Sequence, residues 1–154
     1  MLLLRLGFYE FVKVILSLQE NMMNILLMIH SILRWVILLV AVIALVVFLV
    51  SWLRRSQLQG MDRGLMSGFS GLMDLQAFVG IILLIWGGLG GIGFPTYRIE
   101  HGLIMVLAAV VVHVSSRWRK TDEPLHYRNY FLIILASLAL VLIGISVLPG
   151  VLTK

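Results

Sequence analysis

The longest feature of the chain is an apolar stretch from Val36 to Val50 that no polar residue interrupts. With its flanks it predicts a first membrane span over residues 24–52, which at ~1.5 Å rise per residue exceeds the ~30 Å hydrocarbon layer. Arg54 and Arg55 mark its end. A second span is predicted over 65–86, after which Gly87, Gly88, Gly90, Gly91, Gly93 and Pro95 read as a turn. A third, over 97–116, runs into Arg117, Arg119 and Lys120, with Thr121, Asp122, Glu123 and Pro124 as a polar stop. The fourth covers 130–148 and ends at Pro149 and Gly150. The fold expected is all-α: an integral membrane four-helix bundle of up-down-up-down topology in one domain, residues 22–154.

Residues 1–21 fit this pattern less well, because Arg5, Glu10 and Lys13 interrupt their apolar positions. The segment is expected to be an N-terminal extension. It reads either as an interfacial helix or as the product of an early start site, with Met22, Met23 and Met28 as later starts. No small-residue cleavage site of the Ala-x-Ala kind follows it, which argues against a signal peptide.

Composition agrees with the pattern: 61% of the 154 residues are hydrophobic and 12% charged, against about 25% charged in soluble domains. The net charge of +5 does not point to nucleic acid, since the basic residues sit in short loops beside apolar runs. Arg54, Arg55, Arg63, Arg117, Arg119, Lys120 and Arg128 flank the loops after spans one and three, so the positive-inside rule puts those loops in the cytoplasm and both termini outside. Membrane lipid is the expected surrounding. The absence of cysteine excludes disulfides, thiolate metal sites, iron–sulfur clusters and covalent haem attachment. No phosphate-binding loop with its lysine, HExxH or G-x-S-x-G motif is present, so hydrolysis and phosphoryl transfer have no visible basis. The glycine run at Gly90 follows a membrane span, not a strand, and is no dinucleotide fingerprint. Gly64 with Gly68, and Gly87 with Gly91, have small-xxx-small spacing but lie at loop edges, where turn flexibility explains them better than a dimer face.

The chemistry is expected where polar groups interrupt the spans: His30 and Arg34 in the first, Asp74 and Gln76 in the second, Glu100, His101 and His113 in the third. A charge at mid-bilayer costs about 2.5–3.5 kcal/mol on the insertion scale, so such residues usually face the bundle interior and find partners. Arg34 and Asp74 both fall near mid-span and are expected to form a buried ion pair, serving either helix register or proton and substrate handling. His30 and His101 lie at similar distances from the outer ends of their spans. Helices one and three are diagonal in a square bundle, about 11–14 Å apart, which leaves room for a haem iron between two imidazoles. The alternative is that each is a hydrogen-bonded interior histidine. In the ligated case Arg98 and Tyr97 would meet the propionates, and Glu100, Ser31 or a backbone carbonyl would orient the rings. His113, twelve residues beyond His101, is turned by roughly 120° and lies about 18 Å lower. It cannot share that iron and reads as an interfacial residue, with Asp74 or a second cofactor as its partner. His126 reads as a solvated loop residue. Trp35, Trp52, Trp86 and Trp118 mostly lie near span ends, as interfacial aromatics do, and Met22, Met23, Met66, Met73 and Met105 read as packing residues.

The run His30-Ser31-Ile32-Leu33-Arg34-Trp35, then Asp74-Leu75-Gln76 with Gly80, then Glu100-His101 with Met105, resembles a family of small bacterial four-helix membrane proteins labelled cytochrome b-like. The resemblance covers about residues 24–150. It implies a haem b or redox-associated protein of the bacterial inner membrane, with His30 and His101 as the natural ligand candidates and Arg34, Gln76 and Glu100 as supporting polar groups. Some members carry histidine where this chain has Asp74, so a ligand there would be missing here. The expected function is membrane electron transfer, alone or as a redox-complex subunit, with other membrane redox proteins as partners. Two alternatives stand beside it: an accessory structural subunit of a larger membrane complex, and a small proton-coupled carrier using Arg34, Asp74 and Glu100.

Overall fold

The computed structural model describes residues 2–55, 60–118 and 125–150. Among them the protein is all-helical, with four long helices: α1 (Leu2–Leu53), α2 (Gly60–Gly87), α3 (Thr96–His113) and α4 (Leu125–Ser146). Each is long and apolar enough to cross a membrane.

α1 is one continuous helix of 52 residues, about 78 Å at ~1.5 Å per residue and more than twice the hydrocarbon thickness. It contains no proline, and the polar group Gln19, Glu20 and Asn21 does not interrupt it. The N-terminal extension is therefore joined to the first span without a break from Leu2 onward. Its large apolar side chains, among them Phe8, Phe11 and Leu16, are exposed.

α2 starts before the predicted boundary and continues through a wider π-helical turn, Gly88–Ile92. The helix then stops for local reasons. Gly91 and Gly93 have φ of 106° and 74°, in the left-handed region that favours glycine, and Pro95 follows in an extended conformation. The glycine turn thus breaks the chain a few residues later than the sequence pattern places it. α3 tightens after His113 into a 3-10 turn, Val114–Trp118. α4 also starts early, and this corrects the expectation for His126. That residue is not a solvated loop residue but lies in the first turn of α4, 1% exposed. Its ring meets Tyr130 edge-on, 6.3 Å away and one helical turn later.

α1 packs against α2 and α4, and α3 packs against the same two helices. Ala41 and Ala44 of α1 and Ala108 and Ala109 of α3 are buried at these contacts, where small side chains allow close helix approach. Toward the end of the bundle that carries Arg54 and Arg63, Phe48 stacks at 5.4 Å from Tyr130 and 6.1 Å from Tyr127. There Tyr127 donates a 2.6 Å hydrogen bond to Asp62 Oδ2, tying the start of α4 to the start of α2. Ser137 Oγ donates to the carbonyl of Ala108 at 3.2 Å, joining α4 to α3. Lipid tails are as apolar as leucine, so interior hydrogen bonds and close packing hold such helices together more than apolar burial does. Met66 and Met73 are buried in this core, as expected of packing methionines. A Cβ added at Gly64 or Gly68 would touch nothing, so neither is a point of close approach within the chain.

Candidate functional site

The polar residues of the spans fall into two groups on different sides of α2. Gln76 faces α1, and Asp74, two residues earlier and so about 200° around the helix, faces α3.

The first group surrounds a cavity of about 130 Å³ that draws residues from all four helices. His30 and Arg34 of α1, Gln76 of α2 and His101 of α3 supply its polar atoms. Ile37, Met73, Met105 and Val141 are among the apolar residues that make up the rest of its wall. A second cavity of about 160 Å³ shares His30, Gln76 and His101 with it and extends to Gly80 and Arg98.

Gln76 Nε2 donates to the carbonyl of His30 at 3.1 Å and lies 3.2 Å from His30 Nε2. Because the amide nitrogen carries only donors, His30 Nε2 must accept and the ring proton resides on Nδ1. His30 Nδ1 and Gln76 Oε1 are both buried without a hydrogen-bond partner among the described residues. One is a donor and the other an acceptor, and each such atom left unmatched costs about 1–3 kcal/mol. The imidazole also lies against Gly80, where an added Cβ would be 3.3 Å from His30 Cε1. A larger residue there would crowd the ring.

His101 is oriented differently. Its Nδ1 donates to the carbonyl of Gly144 on α4 at 2.8 Å, leaving Nε2 as the acceptor nitrogen. This is the arrangement in which a backbone carbonyl fixes the tautomer of a metal-binding histidine. Glycine at position 144 permits it, because a Cβ there would run into the Met105 methyl group and Ile104. Glu100, the neighbouring residue, is exposed and lines neither cavity. Adjacent helical positions diverge by about 100°, and with His101 on the cavity Glu100 is turned away from it. Ser31 is likewise exposed.

Arg34 and Asp74 do not pair, contrary to the sequence expectation. Asp74 Oδ1 instead meets His113 Nε2 at 2.9 Å, and Ser70 Oγ stands 3.4 Å from His113 Nδ1. The reason is the rotation of Asp74 away from α1. Arg34 lies over the Trp35 ring, 5.3 Å from its centroid, at the side of the cavity. Arg98 donates to the carbonyls of Leu83, at 3.0 Å, and Gly93, at 3.5 Å. It thereby ties the start of α3 to the end of α2 and to the glycine turn between them. Gly87 makes room for it, since a Cβ there would come within 2.8 Å of the guanidinium.

Among the described residues no group of three or more histidine and carboxylate side chains is placed to hold a metal ion. The donor chemistry of the cavity is that of two imidazoles. No protein-family model matches the chain, and neither a curated protein nor a solved structure is significantly similar to it.

Proposed function

We propose that the protein is a membrane electron-transfer protein or redox-complex subunit that binds haem b in the cavity between His30 and His101. The observation that carries this is the convergence on one cavity of two histidines from α1 and α3, each packed on both α2 and α4. The donor set fits the group: two imidazoles, one already oriented through Nδ1 by Gly144, in an apolar surrounding free of cysteine. Haem b would supply one-electron redox chemistry there. The chain's own contribution is to orient His101, to release His30 Nε2 from Gln76 by turning the ring, and to exclude water with Met73, Met105 and Val141. Arg98 and Arg34 are the cations available to propionates, Arg98 by exchanging a backbone carbonyl for a carboxylate.

The same reading places the helices in an up-down-up-down bundle in a bacterial inner membrane, with both termini outside. The helix order is supported by the hydrogen bond of Tyr127, at the start of α4, to Asp62, at the start of α2, and the orientation by the basic residues of the loops. Other membrane redox proteins are the proposed partners. The accessory-subunit alternative draws on one observation, the exposed apolar first part of α1, which a neighbouring subunit could cover. Quantifying haem in protein purified after expression with ample haem supply distinguishes the two. A stoichiometric b-type haem supports electron transfer, and haem-free, folded protein contradicts it.

A further inference from the structure

The second polar group lies on the opposite side of α2. His113 Nε2 and Asp74 Oδ1 are 2.9 Å apart, and both residues belong to helices long and apolar enough to cross a membrane. An ionisable pair in such a segment is a functional-site candidate in its own right. A cavity of about 220 Å³ adjoins it, lined by Arg63, Ser67, Ser70, Ser115, Ser116 and Tyr130 among others, and has room for several water molecules. It runs from the pair toward the start of α2, where Arg63 lies.

We propose that His113 and Asp74 form a proton-exchange site, loaded and emptied through this hydroxyl-lined cavity. With Asp74 ionised, the 2.9 Å contact puts the proton of neutral His113 on Nε2, where it is donated to the carboxylate. Nδ1 then accepts from the Ser70 hydroxyl at 3.4 Å. An incoming hydronium ion gives its proton to Nδ1 and leaves as water; the Ser70 hydroxyl turns round and accepts from the new N–H. The pair passes from a net charge of −1 to neutrality, and release reverses each step. An N–H bond forms as an O–H bond of the hydronium ion breaks, and release reverses both, so no oxidant or reductant is needed.

Among the described residues the surrounding charged and titratable groups are few, and one of them, His126 of α4, meets the ring of the cavity-lining Tyr130. Arg63 and Asp62 lie on α2, Asp62 being engaged by Tyr127 of α4. Tyr130 of α4 lines the cavity, and Arg34 of α1 belongs to the other cavity. Gly71 also lines it, and a Cβ there would touch nothing. A Cβ added at that position therefore enters open space, and a longer side chain grows into the cavity.

The site is independent of His30 and His101, so a protein found to lack haem leaves it standing. The test is ¹⁵N-histidine NMR of the full chain in lipid nanodiscs, with the His113 resonances assigned from the His113→Gln variant. The wild type is expected to hold the neutral Nε2–H tautomer at high pH and to gain its second proton at Nδ1 as the pH is lowered across the range in which the protein stays folded. Asp74→Asn should abolish the tautomer preference, and Gly71→Leu, folded by circular dichroism, should slow proton exchange by an order of magnitude. A His113 ring that keeps one protonation state throughout that range overturns the proposal, as does exchange at the wild-type rate in Gly71→Leu.

Discussion

Gln76 Nε2 stands 3.1 Å from the carbonyl oxygen of His30 and 3.2 Å from its ring Nε2, so one amide ties both backbone and side chain of α1 to α2. It sets the position of the histidine and its tautomer together.

Gln76→Leu should therefore destabilise the protein by about 1–3 kcal/mol, because it leaves the His30 ring nitrogen unmatched in an apolar surrounding. Thermal unfolding in detergent, followed by circular dichroism, measures this. A variant as stable as the wild type would show that the amide contributes nothing.

The pairing of Asp74 with His113 predicts where energetic coupling resides. A double-mutant cycle of Asp74→Asn and His113→Gln should give an interaction energy of about 0.5–3 kcal/mol. Arg34→Met and Asp74→Asn, on different sides of the α2 packing, should add within about 0.5 kcal/mol. The reverse pattern would restore the Arg34–Asp74 ion pair expected from mid-span position alone.

Tyr127→Phe removes the donor to Asp62 Oδ2 while keeping the ring that packs on Phe48. A hydrogen bond to a charged group contributes about 1.5–3 kcal/mol, and denaturation of the variant should show a loss of that order. A loss confined to a few tenths would mean that the carboxylate finds an equivalent partner.

Much of the fold was legible because the signals were local. The apolar run at Val36, the arginines after it and the Gly91 to Pro95 break each act through the residues that display them. The ends of α2 and α4 were less legible, since Asp62 and His126 look like loop residues until Tyr127 and Tyr130 of another turn or helix bury them. At the candidate site, His30, Gln76 and His101 were identifiable as polar interruptions of apolar spans, and they do share a cavity. Which polar residue faced which helix was not, because depth along a span leaves rotation about its axis undetermined. That is why Asp74 is expected opposite Arg34, and why Glu100 and Ser31 stand beside a backbone carbonyl as candidates to orient the rings, although at His101 it is the carbonyl that does so. Gly144 carries no polar side chain; its role as the carbonyl partner of His101 depends on the approach of α4 to α3.

The chain contains no cysteine, so single cysteines report topology without background. With both termini outside, Leu89→Cys should react with an impermeant maleimide on intact cells and Arg55→Cys only after permeabilisation. The opposite labelling would invert the proposed orientation.

The central claim, haem b held by His30 and His101, is tested most directly by the reduced-minus-oxidised absorption spectrum of the purified protein and its histidine variants. The account predicts a low-spin b-type spectrum in the wild type, lost or converted in His30→Ala and in His101→Ala and nearly unchanged in His113→Ala. Absence of a Soret band in haem-replete wild-type protein, or a spectrum that survives loss of both His30 and His101, would contradict it.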